Sequence, residues 1–143
     1  FAPSCLSAFT ITTSRSFFPK PKKINFNEAA TIPIAFSTAY YALITLGRLC
    51  RGERILIHAA AGGVGLAAVK IAQWVGAEIF ATAGNPKKRE FLHSFGIQHV
   101  MDSRSLSFAD ELMDYTDGKG VDVVLNSLGG QFISKNFYHR HTQ

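Results

Sequence analysis

The chain is short of cysteine, of acid and of long apolar runs. Its 143 residues hold two cysteines, Cys5 and Cys50, far apart and outside any C-x-x-C spacing. That excludes a disulfide scaffold and a thiolate zinc site, and it fits a reducing, cytoplasmic compartment. Asp and Glu number 10 against 15 Lys and Arg, a formal net charge of +5. Such a balance suits nucleic acid, a membrane surface or a small anion. Neither basic cluster, Lys20–Lys22–Lys23 or Lys87–Lys88–Arg89, is interleaved with the aromatics of a base-stacking platform, so no nucleic-acid partner is expected. The first cluster reads as a solvated connector stiffened by Pro19 and Pro21. No apolar run is read as approaching the ~20 residues of a bilayer span, and no charged segment precedes an apolar core at Phe1, so neither membrane nor leader is expected. Apolar residues at 47% against 17% charged place the chain among globular proteins. It opens on Phe1, and its tail SKNFYHRHTQ has no terminating pattern, so it reads as a fragment of something larger.

What is present is punctuation. RILIHA (54–59) is a continuous apolar run, as in a strand buried on both faces of a parallel sheet. VGLAAVKIAQWV follows, with Leu66, Val69, Ile71, Ala72 and Val75 at helical spacing and Gly76 as a stop. EIFATA (78–83) is a second strand. Asn85 is a natural N-cap and Pro86 a natural first helical residue for a helix running to Gly96. HVMD (99–102) is a third strand. Ser107 and Asp110 resemble a capping box for a helix through Tyr115 that ends near Gly118. VDVVLNSL (121–128) is a fourth strand. This alternation predicts an α/β, doubly wound parallel sheet of Rossmann type. Residues 1–50 read otherwise, as the end of a preceding domain and a helix, around Thr38 to Leu46, that follows a proline-broken stretch. The predicted division is 1–50, then a nucleotide-binding unit over 51–134, then a disordered tail over 135–143. His139 and His141 in that tail are too poor a pattern for a metal site.

The stretch HAAAGGVGLAA raises the functional question. Small residues fill a core badly, and glycine weakens both helix and strand. A turn without Cβ atoms between a buried strand and a helix lets a pyrophosphate approach the helix's unpaired N–H groups. In the dinucleotide fingerprint the second glycine allows that approach and the third allows close packing of helix on strand. Gly62 and Gly65 take those places, Gly63 and Val64 lie between them, and Ala60 replaces the first glycine. The alternative is a tight turn without a ligand. An NAD-binding chain would carry an acid at the end of the second strand for the ribose 2′-hydroxyl. Ala83 and Gly84 stand there instead, with Lys87, Lys88 and Arg89 opening the next helix. No acid repels a 2′-phosphate and cations await it, so NADPH is expected over NADH.

TAYYAL, GERILIHAAAGGVGLAAVKIA, FATAGNPKKREFL, DSRSLSFADE and GKGVDVVLNSLGGQFI together resemble the enoyl reductase domain of modular polyketide synthases and animal-type fatty acid synthases. That domain is part of the zinc-free, quinone-oxidoreductase-like branch of the medium-chain dehydrogenases. The resemblance covers about residues 1 to 134. It implies hydride delivery from NADPH to an enoyl thioester carried on an acyl carrier protein. It implies that Thr38 lies near the nicotinamide half, that Lys88, Ser103 and Arg104 surround the 2′-phosphate, and that Asn126 and Ser127 lie at the ligand end of the fourth strand. It implies no metal ligands, and it puts the family's proton donors beyond Gln143. It also implies a sheet order of 3-2-1-4 with the fourth strand left as an edge, from which self-association through 121–128 is expected. A stand-alone NADPH:quinone oxidoreductase and a non-catalytic nucleotide-binding scaffold are the alternatives.

Overall fold

The computed structural model describes Ile11, residues 13–16 and residues 19–130. The expectations about Cys5 and about the tail over 135–143 lie outside these residues. The chain divides into two compact units, Phe1–Thr31 and Ile32–Gln143.

In the first unit, after a short 3-10 turn at Ser14–Ser16, helix α1 (Phe26–Tyr40) begins. Its start is a reciprocal cap missed in the sequence. The Asn25 side chain accepts the Glu28 N–H at 2.8 Å, and the Glu28 carboxylate accepts the Asn25 N–H at 2.8 Å. The helix runs through Pro33 instead of breaking there, which corrects the reading of a proline-broken stretch. It continues into a π-helical turn, Tyr41–Leu46. The 21-residue helical run Phe26–Leu46 contains an 18-residue stretch with a mean hydropathy of 1.4, long and apolar enough by length and composition to cross a membrane, which corrects the view that no run approaches that length. Within it Ala39 and Leu43 are buried in the core of the second unit.

The second unit holds a four-stranded parallel sheet: β1 (Arg54–Ile57), β2 (Glu78–Ala83), β3 (His99–Asp102) and β4 (Val123–Leu125). The order is β3-β2-β1-β4, as expected. Registers run Ile57↔Ala81, Ile57↔Leu125 and Ala83↔Asp102 near the carboxyl ends. Between the strands lie α2 (Gly63–Val75), α3 (Pro86–Ser94) and α4 (Phe108–Tyr115). Side chains alternate across the sheet with period 2. Ile55, Ile57, Ala81 and Ala83 enter one core with Ala67, Ala68, Val69 and Ala72 of α2 and Leu92 of α3. Leu56, Phe80 and Met101 enter a second core with Phe108, Ala109 and Leu112 of α4. Helices thus cover both faces, the doubly wound arrangement.

The α2 stop is as expected: Gly76 adopts φ 84°, and its N–H reaches Ala72 O and Gln73 O. Asn85 caps α3 by accepting the Lys88 N–H at 2.9 Å, with Pro86 in the first turn. Two expectations fail. No capping box forms at α4, because Ser107 sits at φ −60°, ψ −20° and its hydroxyl turns to Glu111 at 2.9 Å. Ladder pairing of β4 covers three residues instead of the eight read from 121 to 128. At its start the Asp122 N–H still donates to Arg54 O at 3.0 Å, but the Arg54 N–H turns to the Asp122 carboxylate at 2.7 Å. At its end Asn126 folds back to accept the Leu128 N–H.

Candidate functional site

Beyond Ile57 the chain turns through His58 to Gly62 into α2, pinned to both neighbouring strands. The His58 N–H donates to Leu125 O at 3.1 Å and the Ala60 N–H to Thr82 O at 3.0 Å. Ala59 takes φ 49°, a conformation uncommon for a residue with a Cβ. Gly62 is the N-cap of α2 and brings no side-chain cap. The first helical bond is Leu66 N–H to Gly62 O at 2.8 Å, so the N–H groups of Gly63, Val64 and Gly65 have no carbonyl a turn earlier. Ideal Cβ positions separate the glycines by task. On Gly63 a Cβ would meet nothing within 4 Å, and on Gly62 only Ala59 O at 3.2 Å. On Gly65 it would stand 2.4 Å from Ala59 O and 2.6 Å from Ala60 Cα. Gly65 therefore seats the helix against the turn, while Gly62 and Gly63 keep the space over the helix end clear. Ala60 is fully buried and Val64 half-buried, so the side chains of these two pack rather than reach a ligand, and Val64 offers only its backbone N–H. An uncapped, Cβ-free helix N-terminus fits the diphosphate of a dinucleotide.

The second part of the site lies where β2 and β3 end. Gly84 leaves room for the Ser103 and Arg104 side chains: its Cβ would stand 3.2 Å from Arg104 Nε and 3.3 Å from Ser103 Oγ. The Ser103 N–H donates to Ala83 O at 3.3 Å, bringing 83–84 and 103–104 together. Lys88 is exposed on the first turn of α3. Arg89 does not join the free cations, a correction to its place in the basic cluster. Its guanidinium bonds Ala83 O at 3.2 Å and the Asp102 carboxylate at 3.2 Å. The end of β2 carries no acid, as read, but Asp102 stands beside it as the register partner of Ala83 on β3. Its other oxygen accepts the Arg104 N–H at 2.8 Å.

Ser127 and Asn126 follow β4 at this same end. The Ser127 hydroxyl reaches His58 O at 3.4 Å, while the Asn126 side chain is engaged in its own turn. Thr38 is exposed on α1 and, among the described residues, shares no hydrogen bond with the turn. The sequence reading missed a buried polar pair under the turn. His58 is 2% exposed, its Nδ1 lies 3.0 Å from Thr82 Oγ1, and its ring stands edge-on to Phe108 at 5.0 Å. A histidine extending an apolar strand run was the available signal, because a buried polar side chain needs a built partner. Among the described residues no three His, Cys, Asp or Glu side chains gather to hold a metal ion.

Residues 63–141 match the family model described as zinc-binding dehydrogenase. No ligand set for a zinc ion is present among the described residues. The chain is 50% identical over 135 residues to a phenolphthiocerol/phthiocerol polyketide synthase of Mycobacterium tuberculosis, a match spanning 94% of this chain and 6% of that protein. Among solved structures it resembles the CurK enoyl reductase, with 58% identity and a TM-score of 0.84 over 87% of this chain and 37% of that one. It also resembles the nucleotide-binding subdomain of the enoylreductase domain of PpsC from Mycobacterium tuberculosis. That match has 53% identity and a TM-score of 0.74, over 76% of this chain and 60% of that one.

Proposed function

Because this chain belongs to the zinc-binding dehydrogenase family and, within it, to the enoyl reductases of polyketide synthases, we propose that it is the NADPH-holding part of such a reductase. In the parent enzyme the substrate is an enoyl thioester on an acyl carrier protein, whose α,β-double bond is reduced. NADPH, when bound, supplies the hydride. The chain's own residues bind and orient. The N–H groups of Gly63, Val64 and Gly65 receive the diphosphate, with Gly62 and Gly63 leaving its path clear. Lys88, Ser103 and Arg104 receive the 2′-phosphate beside Ala83 and Gly84. Thr38, Asn126 and Ser127 are assigned to the nicotinamide side. The observation that carries this reading is the helix end of α2, which has neither a capping side chain nor a Cβ over Gly63.

The test is a chimera in which this chain replaces the matching segment of the CurK enoyl reductase. Enoyl-thioester reduction with NADPH is expected to survive the exchange. A folded chimera without that activity would overturn the assignment.

A further inference from the structure

Of the charged groups at the rim, Arg89 and Asp102 remain without a role in binding. Their geometry is that of a switch held in one position. Asp102 ends β3 beside Ala83, the residue that ends β2. The end of β2 is where a dinucleotide fold that prefers a free 2′-hydroxyl places its acid. A carboxylate here, left bare, would favour a ribose diol and repel a ribose phosphate. It is not bare. Arg89 Nη1 approaches Asp102 Oδ2 at 3.2 Å and donates to Ala83 O at 3.2 Å, which ties the guanidinium to β2 as well as to β3. The remaining oxygen, Oδ1, accepts the Arg104 N–H at 2.8 Å. That bond sets the backbone from which the Arg104 side chain extends across Gly84.

We propose that Arg89 sets coenzyme choice without touching the coenzyme: by occupying Asp102 it cancels the charge that would exclude a 2′-phosphate, while Asp102 orients Arg104 toward that phosphate. This rests on the reading of the rim as a 2′-phosphate site, and it makes Arg89 and Asp102 positioning residues. Lys88 and Arg104 then act in a field that Arg89 keeps more positive by offsetting the Asp102 charge. The pair is partly open to solvent, with the two side chains 25% and 40% exposed. Pairs this exposed add little to stability, so its loss should register in selectivity and leave the fold intact.

The experiment is a binding cycle on the full chain, with dissociation constants for NADPH and NADH measured for the unchanged protein, Arg89→Met, Asp102→Asn and the double substitution. Arg89→Met is expected to weaken NADPH on the order of tenfold and to spare NADH, the effect of one uncompensated charge beside an anion. Raising the salt concentration should shrink that loss. The double substitution is expected to recover NADPH binding, because the asparagine introduced by Asp102→Asn carries no charge yet still accepts the Arg104 N–H. Asp102→Asn alone should keep the preference. Arg89→Lys, which conserves the charge, should keep it as well and serves if Arg89→Met does not fold. Equal losses for both coenzymes, no recovery in the double variant, or an Arg89→Lys variant that behaves like Arg89→Met would reduce Arg89 to a structural tie and overturn the proposal. An unchanged protein that binds NADH as tightly as NADPH would instead remove the reading on which the proposal rests.

Discussion

The turn after β1 and the rim after β2 and β3 lie at the same end of the sheet and are made of opposite materials. The first is backbone alone: Gly62, Gly63 and Gly65 matter for atoms they lack. The second is side chain: Lys88, Arg89, Asp102, Ser103 and Arg104 bring charges and a hydroxyl to it. A backbone site recognises what every dinucleotide shares, since N–H groups at a helix end do not distinguish one diphosphate from another. A side-chain site recognises what differs, a phosphate against a hydroxyl. Adding atoms should therefore damage the first region for both coenzymes, and removing charge should damage the second for one.

The largest effect is expected at Gly65. Gly65→Ala places a Cβ 2.4 Å from Ala59 O and 2.6 Å from Ala60 Cα, all of it backbone that cannot swing aside. Overpacking of this kind costs about 3 kcal/mol or more, so the thermal midpoint should fall by many degrees with or without coenzyme. An unshifted midpoint would mean that the turn can yield, and the division of labour among the glycines would fail.

Gly62→Val comes next and separates binding from folding. Its Cβ would meet only Ala59 O at 3.2 Å, so the stability cost should stay near 1 kcal/mol. The added methyls would stand in the diphosphate's path, and titration calorimetry should show NADPH and NADH lost together. Retained affinity for either would show that the ligand does not cross this turn.

The smallest and most selective effect is expected at the rim. Replacing Lys88 and Arg104 by Ala should weaken NADPH by roughly tenfold per residue, the scale of a charge-assisted hydrogen bond at an open site, and leave NADH nearly unchanged. Equal losses for both coenzymes would erase the contrast between the two regions.

The parts of this architecture that were legible in the sequence were those with local causes. β2 and β3 were read to the residue because Gly76, Asn85 and Gly96 bracket them, and the turn after β1 was read because its run of small residues suits neither helix nor strand. What escaped was set by partners distant in sequence. Arg89 reads as one of three helix-start cations, and only the pairing of β3 beside β2 brings Asp102 to it. Thr82 reads as one alternating strand residue, and only the β1–β2 register puts it against His58. β4 ended early because Asn126 preferred its own turn, a competition between side chain and ladder that composition does not resolve. Pro33 shows the reverse case, a local rule overridden within α1.

The pins at His58 and Ala60 also set a timescale. β1 and β2 are the inner strands, each bonded on both sides, and the turn hangs from them through Leu125 O and Thr82 O. Amides held this way exchange with solvent only when much of the sheet comes apart. Ordering a residue costs about 1–2 kcal/mol, and here that cost falls on folding rather than on ligand arrival. A ligand docking at the end of α2 thus meets a backbone already at rest, and its residence there is governed by its own departure rather than by any opening of the turn.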